Sequence, residues 1–159
     1  MTTQHPDLLR HEGADYRIKP FPLENIGANW SSVDRGDGIH VTRFGYLSTA
    51  CWRGYIASWE ITNNKLYLVG FDTKDNDGNP LTIQDVFETE RLFAFWFTGE
   101  LRSSFGSHVS GLYEPTMRFD HVWQFRFGVL QSRTLRNNDT PERRGRGYRP
   151  GDRSFIDNI

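Results

Sequence analysis

A chain of 159 residues suits one domain large enough to bury a real core. Its formal net charge of -1 provides no whole-protein field to draw in nucleic acid or an anionic membrane, and its single cysteine, Cys51, rules out an internal disulfide. No apolar run approaches membrane-spanning length and the first residues hold no apolar signal region, so a cytoplasmic setting without a membrane partner is expected. Aromatic residues make up 14% of the chain, which points to a core built from a few large rings.

Residues 1–50 are weakly patterned. Asp7 to Glu12 (DLLRHE) reads as a helical turn, and Pro20 and Pro22 prevent its continuation. Gly36 and Gly38 mark a turn before a short strand from Ile39 to Phe44.

The strongest signal is Cys51 to Phe71. Two runs rich in aromatic and β-branched residues flank Asn63-Asn64, and Asn accepts the positive φ of a two-residue primed turn. That turn sets Thr62 against Lys65, Ile61 against Leu66, Glu60 against Tyr67 and Trp59 against Leu68. Trp59, Ile61, Leu66 and Leu68 then share one face over a core. The first strand is expected to begin at Cys51, with Gly54 marking a bulge or a close backbone approach.

Asp72 to Pro80 is a turn-rich connection. Thr82 and Asp85 form an imperfect capping box opening a short helix through Phe87. Leu92 to Leu101 is apolar on both faces and reads as a central strand, and Ser103 to Pro115 reads as a polar loop. Met117 to Phe127 alternates, with Phe119, His121, Trp123 and Phe125 on one face. Phe127-Gly128 then turns the chain into a strand from Val129 to Leu135. The expected fold is mostly β: a single antiparallel sandwich or partly open barrel of about seven or eight strands with one short helix. It occupies residues 1–135, and residues 136–159 form an Arg/Gly-rich tail.

The segments Ser48 to Ile61 (STACWRGYIASWEI), Lys65 to Val69 (KLYLV) and Phe93 to Arg102 (FAFWFTGELR) resemble segments recurring in small bacterial proteins of unassigned function. The resemblance covers roughly the middle third of the chain. It implies bacterial origin and a shared β scaffold, and brings no activity, cofactor or site residue.

Several constellations carry possible chemistry. Asp72, Asp75 and Asp77 with Gly78 have part of the spacing of a calcium loop. Thr73 and Gln84 would stand at the first and last ligand positions, so a solvated turn is expected, with no metal. The five histidines fall at no metal-binding spacing. Cys51 is a nucleophile only if His108 or His121 reaches it, and a buried inert thiol is the commoner state. Glu60 and Glu100 form the carboxylate pair of an alternative hydrolase reading, with Arg53 orienting the substrate. The leading expectation is a non-catalytic protein without cofactors that binds a macromolecule, most readily a protein and less readily nucleic acid. Arg143, Arg144, Arg146, Tyr148 and Arg149 are its candidate partner-binding residues, because guanidinium groups pair with carboxylates and stack on rings.

Overall fold

The structure is a computed structural model that describes residues 4–26, 32–34, 40–42, 51, 53–110 and 116–139. Its elements in chain order are β1 (Asp7–His11), β2 (Ala14–Ile18), a 3-10 turn (Pro22–Asn25), β3 (Ser32–Asp34), β4 (His40–Thr42), β5 (Tyr55–Thr62), β6 (Lys65–Thr73), α1 (Ile83–Phe87), β7 (Leu92–Phe93), β8 (Gly99–Ser110), β9 (Thr116–Arg126) and β10 (Val129–Asn137). Eight of the strands form one sheet in the order β2-β1-β5-β6-β10-β9-β8, with β7 paired to β6; β3 and β4 pair with each other. All neighbours in the large sheet run antiparallel except β1 and β5, which are parallel.

The protein is thus mostly β, a partly open sheet with one short helix among the described residues. Its two edge strands meet at one bridge. Lys19, just past β2, exchanges both backbone hydrogen bonds with Arg102 of β8, at 3.0 and 2.8 Å. The sheet therefore curls around an interior without closing.

The β5–β6 hairpin has the register that its turn residues dictate, from Thr62↔Lys65 to Trp59↔Leu68. Asn63 and Asn64 have φ of 52° and 60°, the left-handed values that a primed turn requires. Trp59, Ile61, Leu66 and Leu68 are all buried. A register shift between Ser58 and Trp59 then carries the pairing on to Tyr55↔Thr73. Residues Glu12-Gly13 and Phe127-Gly128 make the corresponding turns of β1–β2 and β9–β10, again with positive φ at both positions. The helix also forms where its capping residues place it. Asp85 N donates to Thr82 Oγ1, and Asp85 Oδ2 accepts from Thr82 N, so two otherwise orphaned donors are satisfied.

Several sequence expectations need correction. Asp7 to His11 is a strand rather than a helical turn, with alternating burial that points Asp7, Leu9 and His11 inward. The strand expected from Cys51 begins only at Tyr55. Gly54, at φ 80°, turns the chain into it, and Gly54 N donates to Cys51 O. Leu92 to Leu101 is not one strand. After β7 the chain makes a turn at Phe95-Trp96 and re-enters the sheet as β8. The apolar run arises because Ala94 and Phe97 plug one end of the curled sheet, both buried in the core cluster. Residues 103–110, expected as loop, continue β8; residues 111–115 lie outside the described set.

Inside the curl, Trp59, Leu68, Phe97, Leu101, Trp123 and Phe125 lie at the centre of the buried cluster. Leu23 of the 3-10 turn is fully buried among them, and Trp96 Nε1 donates to Pro22 O at 2.9 Å, which ties this turn to the β7–β8 connection.

Candidate functional site

The sequence-derived hydrolase set is distributed over separate parts of the sheet. Glu60 on β5 faces outward beside Tyr67, and Arg91 Nη2 lies 3.4 Å from its Oε1 with its guanidinium 3.8 Å from the Tyr67 ring centroid. Glu100 on β8 accepts from Arg136 Nη2 at 2.8 Å and from Gln124 Nε2 at 3.1 Å. Arg136 also reaches Asp120, which accepts a 2.6 Å bond from Ser104 Oγ. Along the sheet β6, β10 and β9 stand between the strands of Glu60 and Glu100.

Arg53, the third member, is buried and paired with Asp7. Its Nη2 donates to Asp7 Oδ1 at 2.8 Å, and the two side chains expose only 7% and 0% of their surface. Asp7 also accepts from Ala57 N at 3.1 Å and Trp59 Nε1 at 3.0 Å. Burial pushes the Asp7 carboxyl above its ordinary range, against the opposing pull of the Arg53 cation and these donors. The guanidinium lies 3.7 Å from the Phe21 ring centroid and 5.0 Å from that of Tyr55. Tyr55 in turn donates to Glu24 Oε2, and burial with that acceptor raises its phenol pKa. This is a buried polar knot joining β1, β5 and the 3-10 turn, and it leaves none of its carboxylates in a cleft with Glu60 or Glu100.

The other sequence candidates are also placed. Cys51 is buried, and its thiol donates to Tyr55 O at 3.3 Å. In the Asp-rich turn, Asp75 Oδ1 accepts from the backbone of Asp77 and Asn79, both at 2.9 Å, while Thr73 Oγ1 donates to Gly54 O. Among the described residues, no three His, Cys, Asp or Glu side chains gather where they could hold a metal. Arg143, Arg144, Arg146, Tyr148 and Arg149 lie outside the described residues.

What the fold does assemble is a cluster of rings at one end of the curled sheet. The alternation that buries Leu101 and Trp123 continues along the same face to Phe105 on β8 and to His121 and Phe119 on β9. Phe105 stacks on His121 with centroids 4.7 Å apart and on Phe119 at 5.3 Å. Tyr16 of β2 closes the inner side, 5.1 Å from His121 and 5.0 Å from Trp123, both edge-on. Arg133 on β10 donates to the Tyr16 hydroxyl at 2.7 Å and to Glu12 at 2.8 Å, with its guanidinium 5.5 Å from the Tyr16 and Trp123 centroids. Deeper in, Trp123 Nε1 donates to His11 Nδ1 at 3.0 Å, so that nitrogen carries no proton and His11 is neutral. Burial and the nearby Arg133 cation lower the pKa of both His11 and His121.

This end is open to solvent. Phe105 exposes 39% of its surface and Leu135, the register partner of His121 on β10, exposes 60%. The chain also leaves the sheet here. Asn138 N donates to Arg118 O at 2.7 Å and its Nδ2 to Met117 O at 3.0 Å, which holds Asn138 beside the start of β9. Sequence reasoning named His121 and Phe119 as one face of a strand but missed Tyr16, Phe105 and Arg133. Phe105 sat in a segment read as loop, and Tyr16 lay in a region without visible alternation. Comparison of the chain with protein-family models, with curated proteins and with solved structures finds no match.

Proposed function

We propose that the chain is a small, non-catalytic bacterial protein of the immunity or accessory type, which binds a protein partner in the cytoplasm through the open end of its sheet. One observation carries this reading: a ring stack of exposed Phe105 with half-buried Phe119 and His121 has exposed Leu135 beside it, at the end of the sheet where Asn138 is held and shortly before the Arg-rich segment in sequence. Aromatic rings held rigidly by a sheet contribute binding area at little entropic cost, and Arg supplies directional contacts around them. The hydrolase reading lacks comparable support, because Glu60 and Glu100 are each occupied by their own arginine on separated strands.

The test is affinity capture from a native host extract using the full chain, a Phe105→Ser/Leu135→Ser variant and a chain ending at Asp139. A partner retained by the full chain and lost from both altered forms supports the reading. Equal retention by all three, or a hydrolytic activity abolished by Glu100→Gln, overturns it.

A further inference from the structure

The opposite end of the sheet presents a different surface. Three turns meet there: Asn63-Asn64, Phe95-Trp96 and Phe127-Gly128. They are fastened to one another through the backbone. Gly128 N donates to Phe97 O at 2.7 Å, Leu130 N to Asn64 O at 2.7 Å, and Ala94 N to Leu66 O at 2.9 Å. Phe127 N adds a bond to Thr98 Oγ1 at 2.9 Å. From this fixed base Phe95 and Phe127 expose 59% and 62% of their surfaces.

Phe127 is held there against its own preference. Its φ of 49° is left-handed, a conformation that Asn accepts and a bulky side chain resists. Asn63 fills the equivalent position of the β5–β6 turn. Glu12, which fills it in the β1–β2 turn, gains an ion pair with Arg133. The Phe127 ring has the Arg126 guanidinium at a distant 5.9 Å and leaves 62% of its surface exposed, so burial contributes little against this strain.

The charges that adjoin these turns in the sequence have one sign. Within two residues of the three turns, the only charged side chains are Lys65 and Arg126. The next acidic residues, Glu60 and Glu100, are each paired with an arginine. Two projecting rings flanked by cations match the interfacial zone of an anionic bilayer, where rings enter the boundary of the acyl region and cations meet phosphates. The geometry points to peripheral docking of this tip on an anionic lipid surface, with Phe95 and Phe127 inserted and Lys65 and Arg126 on the lipid phosphates. No helix among the described residues is long and apolar enough to cross a membrane. Such docking departs from the expectation of no membrane partner, which rested on spanning length and on the charge of the whole chain. Projecting rings suit a flat surface; a protein partner would need an acidic-rimmed pocket to receive them.

The experiment is sedimentation of the full chain with vesicles of phosphatidylcholine plus phosphatidylglycerol, and of phosphatidylcholine alone, at low and high salt. The wild-type chain should partition onto the anionic vesicles and be released by salt. Phe127→Asn and Phe95→Ser should each lower the partition coefficient about tenfold, and Lys65→Gln and Arg126→Gln about fivefold each. Phe127→Asn should melt at or above the wild-type temperature, which separates lost binding from a lost fold. The inference is overturned if the wild-type chain ignores anionic vesicles at low salt, as it would if the rings served a protein pocket. It is equally overturned if the Phe95→Ser/Phe127→Asn double variant binds them as well as wild type.

Discussion

Asp7 and Arg53 form an ion pair closed off from solvent at 2.8 Å, and that pair fastens β1 to the entrance of β5. Removing one partner strands the other: Asp7→Ala leaves Arg53, Ala57 N and Trp59 Nε1 without their acceptor. The expected cost is about 3–5 kcal/mol, the usual range for breaking a buried pair. The double variant Asp7→Leu/Arg53→Met should be more stable than either single variant, because it leaves no buried charge behind. Urea denaturation of the four proteins measures the coupling, and simple additivity would refute it.

Trp59 packs in the core, has Leu68 as its register partner and donates to Asp7 Oδ2. Trp59→Ala should therefore cost about 3–5 kcal/mol, as large aromatic truncations in cores do. Trp59→Phe keeps most of the volume and loses the N–H, and should fall between the two. Both are read from the denaturant midpoint, and an unchanged midpoint for Trp59→Ala would contradict the packing.

The histidines at the open end make stability depend on pH. Both are lowered from 6.5 in the folded chain. As pH falls through that value, the unfolded chain takes up protons before the native one does. Stability is therefore full above about pH 6.5, declines as pH drops towards the lowered native values, and levels off below them. A His11→Gln/His121→Phe variant should lose most of this decline. Urea midpoints of both proteins between about pH 7 and pH 5 decide the matter.

Gly128 shows how tightly the turns at the other end are packed. A Cβ there would lie 2.5 Å from Ala94 O and 2.8 Å from Phe93 Cε1, on a backbone with φ of 80°. Gly128→Ala should lose at least about 2 kcal/mol, since strain and overlap act together. Thermal unfolding beside Gly13→Ala isolates the overlap, because a Cβ at Gly13 meets nothing within 4 Å while its φ is also 80°.

How much of this was legible in the sequence depended on whether the deciding contact was local. The β5–β6 register follows from two asparagines and a period of two, and the helix from Thr82 and Asp85, all within a few residues of one another. Asp7 to His11 was misread because the positions that point inward are held by Asp7 and His11 as well as Leu9, which disguises a strand alternation. The donor that justifies Asp7 there, Arg53, lies 46 positions away. The hydrolase reading sets Arg53 beside Glu60 and Glu100 to orient a substrate, whereas its carboxylate partner is Asp7. The ring stack at the open end needed Tyr16 to meet His121 across a bridge between the two edges of the sheet, a contact that no local pattern encodes.

The parallel β1–β5 pair also dictates an order of assembly. β1 pairs with β2 across a tight turn but finds its parallel neighbour β5 only about 50 positions later, and β2 must wait for β8. The β5–β6 and β9–β10 hairpins close over two-residue turns and carry little loop entropy, so they should form early. The N-terminal hairpin would then dock late, like a latch. In that order Asp7→Ala accelerates unfolding and leaves the folding rate nearly unchanged, whereas Trp59→Ala slows folding. Stopped-flow folding and unfolding limbs distinguish the two, and a folding rate depressed equally by both variants would place the latch in the nucleus instead.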